Sequence, residues 1–189
     1  PYTTLFRSIA DAAFSPDRLD TMTSRLSAAY KGLNVLVLRE GAQDFFWKAK
    51  IQELDDEELA LDIHHIFPQD WCRQQGIKPA VFDSIINKTP LSFRTNRIIG
   101  GVAPSQYLMQ LTAGDKQTPS IDPSKLDAYL ASHLIDPEML RKDDFPAFMQ
   151  DRQKRLLALI EGAMGKTAYR GEEQEEGADA EADADTVEA

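Results

Sequence analysis

Leu19, Met22, Leu26 and Ala29 recur at spacings of three and four, which marks a helical face and predicts a helix over 17–29. The run LNVLVL at 33–38 is short, leucine-rich and partly β-branched; lying just before Glu40-Gly41, it stays open between a strand and the end of a helix. WKAKIQEL, an acidic turn and the segment DDEELALDIHHIFP then predict two extended stretches, the second carrying His64 and His65 on or at the end of a strand. A long polar connection, QDWCRQQGIKPAVFDS, leads to the apolar pair Ile85-Ile86, and Asn87 follows at once.

Downstream the pattern becomes helical. Thr95 is the expected N-cap of a short helix starting near Asn96, with Gly100-Gly101 ending it. Pro104 and Ser105 open another helix through Leu111, and helical patterns also cover 123–133 and 145–164. The last is the best defined. Phe145, Phe148, Met149, Arg152, Leu156, Leu159, Ile160 and Ala163 form one stripe, and Gly165 is a stop signal. Within that stripe Arg152 is expected to pair with Asp143 or Asp144, and His133, on an apolar helix far in sequence from the histidine pair, reads as structural. No internal repeat is visible.

Composition narrows the class. With 189 residues and 42% hydrophobic content the chain suits one well-buried domain and is too short for two large ones. No run approaches the roughly 18 apolar residues of a membrane span, and the start lacks the order of a signal peptide, so a cytoplasmic protein without a membrane partner is expected. Cys72 is the single cysteine; it leaves no internal disulfide and no CxxC pair, and packing is its expected role. Trp47 and Trp71 read as core or lid residues, with Trp71 close enough to Pro68 in sequence to line a site there.

The net charge of −10 would disfavour contact with nucleic acid if it were spread evenly. It is not. Nine of the 31 acidic residues lie from Glu172 onward with no basic residue among them, leaving residues 1–171 with 22 acidic against 21 basic side chains. The tail EEQEEGADAEADADTVEA repels itself and has too little apolar surface to offset the entropy of ordering, so it is expected to be disordered. At the other end, PYTTLFRS resembles the in-frame translation of a sequencing-library adapter, and no methionine opens the chain; residues 1–8 are therefore set aside from fold reasoning, and a missing N-terminal region is expected.

The residues that carry chemistry are DIHHIFP at 62–68, Asn87, and Asn96 nine positions later. This pattern resembles HNH, or His-Me finger, nucleases, in which an acid-histidine or histidine pair on one strand is followed by an asparagine on a second strand and a His or Asn on a short helix. The surrounding IINKTPLSFRTNRIIGG and APSQYL look like the C-terminal nuclease domain of GmrSD-like modification-dependent restriction enzymes and of related proteins with an N-terminal ParB-like domain. The likeness spans roughly residues 30–166 and is strongest over 62–108.

The resemblance implies an α+β fold, with a ββα-metal (HNH) finger embedded in a mainly helical domain. It implies the organisation 9–29 helical remnant, 30–170 nuclease domain and 171–189 acidic tail. His65 matches the base position, and an imidazole with an ordinary pKa near 6.5 is among the few side chains able to take a proton from water at neutral pH. His64 matches a metal-ligand position, with the Asn96 carbonyl as second ligand; Asn87 matches the asparagine that ties the loop and orients the base. One divalent metal ion is implied, its identity open between Mg, Mn, Ni and Zn because imidazole and oxygen donors suit different ions. Asn96 stands where a histidine is often found, which weakens the metal site. All four side chains should then converge on one metal-sized space.

Lys88, Arg94 and Arg97, with Arg73 and Lys78, cluster around the motif and are candidate phosphate contacts, although each also reads as an ordinary solvated charge. The implied function is divalent-metal-dependent hydrolysis of DNA phosphodiesters, within a modification-dependent or anti-phage restriction enzyme whose missing N-terminal part is a ParB-like domain. The alternative is a non-catalytic DNA-binding or interaction module that keeps a degenerate HNH finger.

Overall fold

The computed structural model of this chain describes residues 13–54, 61–116 and 119–169. The expected adapter-derived stretch 1–8 and the acidic tail from Glu172 lie outside the described residues. Within them the fold is mixed, many helices and one small antiparallel sheet, as an α+β class requires. No helix among the described residues is long and apolar enough to cross a membrane.

The expected helix over 17–29 is divided. Helix α1 is only Arg18–Thr21, and α2 runs Ala28–Arg39, because the Ser27 hydroxyl accepts from the Tyr30 amide and starts a fresh helix. LNVLVL lies inside α2, where Tyr30, Leu33 and Val37 turn inward while Val35 is exposed. Three-and-four spacing settles the question the β-branched residues left open. WKAKIQEL is not a strand either: it holds one isolated bridge, Gln43 to Lys50, and a 3-10 turn at Ile51–Glu53 anchored by buried Ile51.

Strand β1, Leu61–His65, pairs antiparallel with β2, Lys88–Ser92, in the register Leu61 to Ser92 and His65 to Lys88. Pro90 sits opposite Ile63, which a two-stranded sheet tolerates because each strand has a free edge. The polar connection between the strands folds into two short helices, α3 Gln69–Gln74 and α4 Pro79–Phe82, followed by a 3-10 turn at Ile85–Asn87. Phe82 and Cys72 anchor them in the core.

Helix α5, Phe93–Ile99, leaves the end of β2 without a loop. Its N-cap is Ser92, not Thr95: the Ser92 hydroxyl accepts from the Thr95 amide. Thr95 is held by Asp44, a fully buried carboxylate that accepts the Thr95 hydroxyl at 2.7 Å, the Ser92 amide at 2.7 Å, and the Phe46 and Trp47 amides at 3.0 Å. Gly100 then ends the helix with φ 59°, a conformation a side chain would strain.

The remaining helices are α6 Pro104–Ala113, α7 Pro123–Ser132, α8 Pro137–Arg141 and α9 Phe145–Met164. Asp122, Asp136 and Asp144 cap the last three, each with a proline in the first turn. Gly165 closes α9 in the left-handed conformation. Two apolar clusters form. One gathers Phe67, Leu91, Ile99, Phe145 and Phe148, the other Leu19, Leu33, Ile85, Ile86, Leu156 and Ile160, so the two strands and α9 lie where the clusters adjoin.

Arg152 departs from expectation. Asp143 accepts from Ser105 and Asp144 caps α9, so neither meets it. Its guanidinium is buried and donates to the carbonyls of Ile86, Lys88 at 2.8 Å, Ile85 at 3.4 Å and His133 at 3.3 Å. Burial lowers its pKa to about 9, which leaves it cationic at neutral pH. One side chain of α9 thus fixes the backbone that enters β2.

Candidate functional site

His64 and His65 end β1 and both line a cavity of about 290 Å³, together with Arg25, Asp62, Ile63, Pro68, Gln69, Asp70, Asn96, Gly100 and Gly101. Helix α5 follows β2 directly, which carries Asn96 back across the sheet to His64. The sequence separation of 32 residues between them closes into contact: His64 Nδ1 faces Asn96 Oδ1.

A carboxylate decides which atom of Asn96 does the facing. Asp62 only accepts, and Asn96 Nδ2 donates to its Oδ2 at 2.6 Å, so the amide oxygen is turned toward His64. Arg25 holds Asp62 in turn, at 3.4 Å, while donating to the Ile63 carbonyl at 2.9 Å. Burial lowers the His64 pKa to about 4, so the ring is neutral at physiological pH. Its Nε2 is buried with no hydrogen-bond partner. Such an orphan costs free energy in a folded protein unless something binds it.

His64 Nδ1 and the oriented Asn96 Oδ1 converge on one point, a nitrogen and oxygen donor pair suited to a divalent cation. Among the described residues no group of three or more His, Cys, Asp or Glu side chains is arranged to hold a metal. A cation here would therefore rest on two protein donors, His64 and Asn96, and on solvent.

His65 is largely buried, and its Nε2 lies 2.8 Å from Asp83 Oδ1. Burial lowers its pKa, and the hydrogen bond it makes to Asp83 opposes that shift. Gln69 Nε2 lies 3.2 Å from the same ring nitrogen, 3.4 Å from Nδ1 and 3.4 Å from Asp83 Oδ1.

Asn87 is fully buried and does not line the cavity, so three of the four expected side chains converge there, not four. It accepts from the Phe67 amide at 2.8 Å and donates to the Phe67 and Phe82 carbonyls, each at 3.0 Å. That bonding fixes the turn that follows His65 from the second strand's side. Trp71 packs on Phe67, with ring centroids 5.2 Å apart, and stays outside the cavity lining.

The basic residues divide. Lys88 is 6% exposed, lies across from His65 in the sheet and points to Asp83 at 3.6 Å, so it reaches solvent poorly. Arg94 and Arg97 are exposed on α5 and line a different and larger groove of about 720 Å³ with Phe46, Ile98 and Gln110. Each guanidinium lies over an aromatic ring, Arg94 at 4.5 Å from Phe46 and Arg97 at 5.4 Å from Phe93.

His133 is structural in its bonding but is not remote from the strands. Its Nδ1 meets the Thr89 hydroxyl on β2 at 2.7 Å and its Nε2 the Gln43 carbonyl at 2.8 Å. Sequence reasoning missed Arg25, Gln69 and Asp83 and gave Asp62 no role. The signal for Asp62 was its place two residues before His64, and for Gln69 its place four residues after His65; Arg25 and Asp83 reach the site from separate segments and carry no spacing signature.

No protein-family model matches this chain, and no solved structure matches it. It is similar to the uncharacterized protein MJ0686 of Methanocaldococcus jannaschii, 30% identical over 159 residues that cover 75% of this chain and 27% of that protein. The chain thus spans about a quarter of that relative's length.

Proposed function

We propose that the chain carries the site of a divalent-metal-dependent endonuclease that hydrolyses DNA phosphodiester bonds, in the manner of an HNH finger. The observation that carries this reading is a strand, strand, helix unit that turns His64 Nδ1 and Asn96 Oδ1 toward each other and sets His65 in the same cavity. His64 and Asn96 would hold the metal ion, which would neutralise charge on the scissile phosphate and the departing oxygen.

His65 then takes a proton from the attacking water, the part an imidazole can play at neutral pH. Asn87 keeps the turn behind it rigid through the Phe67 and Phe82 backbone. Arg94 and Arg97, exposed and propped on aromatic rings, would meet the phosphate backbone beyond the cleavage point. By the resemblance of the 62–108 segment, the larger enzyme is a modification-dependent or anti-phage restriction enzyme with a ParB-like N-terminal domain.

Plasmid cleavage in the presence of Mg, Mn, Ni, Co or Zn ions tests the reading. His65→Ala should lower the rate by about 10²-fold or more while DNA affinity survives. His64→Ala or Asn96→Ala should recover part of the rate when the metal concentration is raised, and His65→Ala should not. A parent protein that binds DNA and cuts with none of these ions favours the non-catalytic module; a His65→Ala variant that cuts as fast as the parent removes the mechanism.

A further inference from the structure

We infer that Asp83 is a positioning residue for His65: it fixes the ring as the Nε2–H tautomer and leaves Nδ1 as its basic nitrogen. The inference rests on the nuclease reading only for its consequence, since the tautomer can be measured without catalysis.

Three potential donors surround Asp83 Oδ1: His65 Nε2 at 2.8 Å, Gln69 Nε2 at 3.4 Å and Lys88 Nζ at 3.6 Å. Asp83 is a carboxylate and only accepts, so the nearest of the three contacts demands a proton on His65 Nε2. A neutral imidazole has one N–H, so Nδ1 then carries the lone pair. Gln69 completes the argument. Its amide nitrogen is 3.2 Å from His65 Nε2, too near for that nitrogen to be indifferent, and it cannot donate there while the same position carries a proton. Without Asp83, the amide would be free to donate to Nε2, and the proton would move to Nδ1.

Backbone geometry makes the contact dependable. Asp83 ends α4, its amide bonded to the Pro79 carbonyl at 2.9 Å, and α4 is anchored by fully buried Phe82, whose ring lies edge-on to His65 at 6.2 Å. Asn87 ties the Phe82 carbonyl to the turn after His65, so base and carboxylate are braced by one amide. A carboxylate held this way orients an imidazole and stabilises the imidazolium that forms when it takes a proton.

The test uses the full chain with ¹⁵N-labelled histidine, free of metal, and reads the tautomer of each ring from long-range ¹H–¹⁵N correlations, His65 being assigned by its loss in His65→Ala. The parent and Asp83→Asn, which keeps an acceptor oxygen, should show Nε2–H. Asp83→Ala should shift His65 toward Nδ1–H, and Gln69→Ala should not. In DNA cleavage, Asp83→Ala should lower kcat on the order of 10²-fold with KM little changed, and Asp83→Asn should stay within about tenfold of the parent. An Nδ1–H ring in the parent overturns the inference, as does a shift caused by Gln69→Ala; both readings survive any failure of Asp83→Ala to fold. If the tautomers behave as stated and none of the proteins cuts DNA, the nuclease reading falls and the positioning role stands.

Discussion

His133 and His64 are both buried neutral imidazoles, and burial lowers the pKa of each to about 4. Their bonding differs. His133 donates from Nε2 to the Gln43 carbonyl and accepts the Thr89 hydroxyl at Nδ1, so both nitrogens are satisfied by protein. His64 confronts an amide oxygen with one nitrogen, leaves the other without a partner, and borders open space. Burial and charge state do not separate a structural histidine from one awaiting a ligand; the account of its two nitrogens does.

Three changes strain that contrast, beginning with the largest effect. Arg152→Ala removes the cation that serves the carbonyls of Ile85, Ile86, Lys88 and His133, and unsatisfied buried carbonyls cost about 1–3 kcal/mol each. A loss of at least about 3 kcal/mol in denaturant unfolding is expected, without recovery on adding metal; a loss below about 1 kcal/mol would show that this satisfied centre matters little.

The second change is in acid. The folded-state pKa of His133 lies below its unfolded value near 6.5, so its contribution is complete above pH 6.5 and fades as pH falls toward about 4. Unfolding in this window takes up a proton, and stability should fall by up to about 1.4 kcal/mol per pH unit on this account. His133→Gln can still donate to Gln43 and accept from Thr89, yet cannot titrate. Its stability should decline less steeply with acid, His64 contributing equally to both proteins; equal slopes would refute the assignment.

The smallest effect sharpens the other side. Adding Mn or Ni at ten times its dissociation constant should stabilise the parent by about 1.4 kcal/mol and raise Tm. His64→Ala should lose that increment while its metal-free Tm stays near the parent's, because the ring it removes has an unsatisfied nitrogen. A preserved metal-induced shift would mean that His64 is not part of a cation site.

What could be read in the sequence follows the range of the interactions. Helix α9 was legible to the residue, since its stripe lies within it and its closing glycine follows at once. Strand β1 was legible from its pattern, and its histidines from a local motif. Ser92 and Thr95 offered two equivalent hydroxyls three residues apart, and Asp44, from far upstream, claims Thr95 and leaves Ser92 to cap. Arg152 misled for the same reason. Its nearby acids were the visible partners, but they serve Ser105 and a helix cap, while backbone carbonyls carry no identity in a sequence. At the site, the motif pointed to His64, His65 and Asn96, whereas Asp83 and Arg25 are not among the residues that define it.

The position of Arg152 also sets a schedule. During synthesis both histidines, Asn87 and Asn96 leave the ribosome well before α9, yet the backbone entering β2 lacks its guanidinium anchor until Arg152 has followed. Domains generally fold as units as they are made. A nascent chain therefore displays the whole motif while still unable to brace it, and the cavity matures only once α9 has followed. Whatever chemistry His64 and His65 perform is thereby withheld until the segment that braces them has been made.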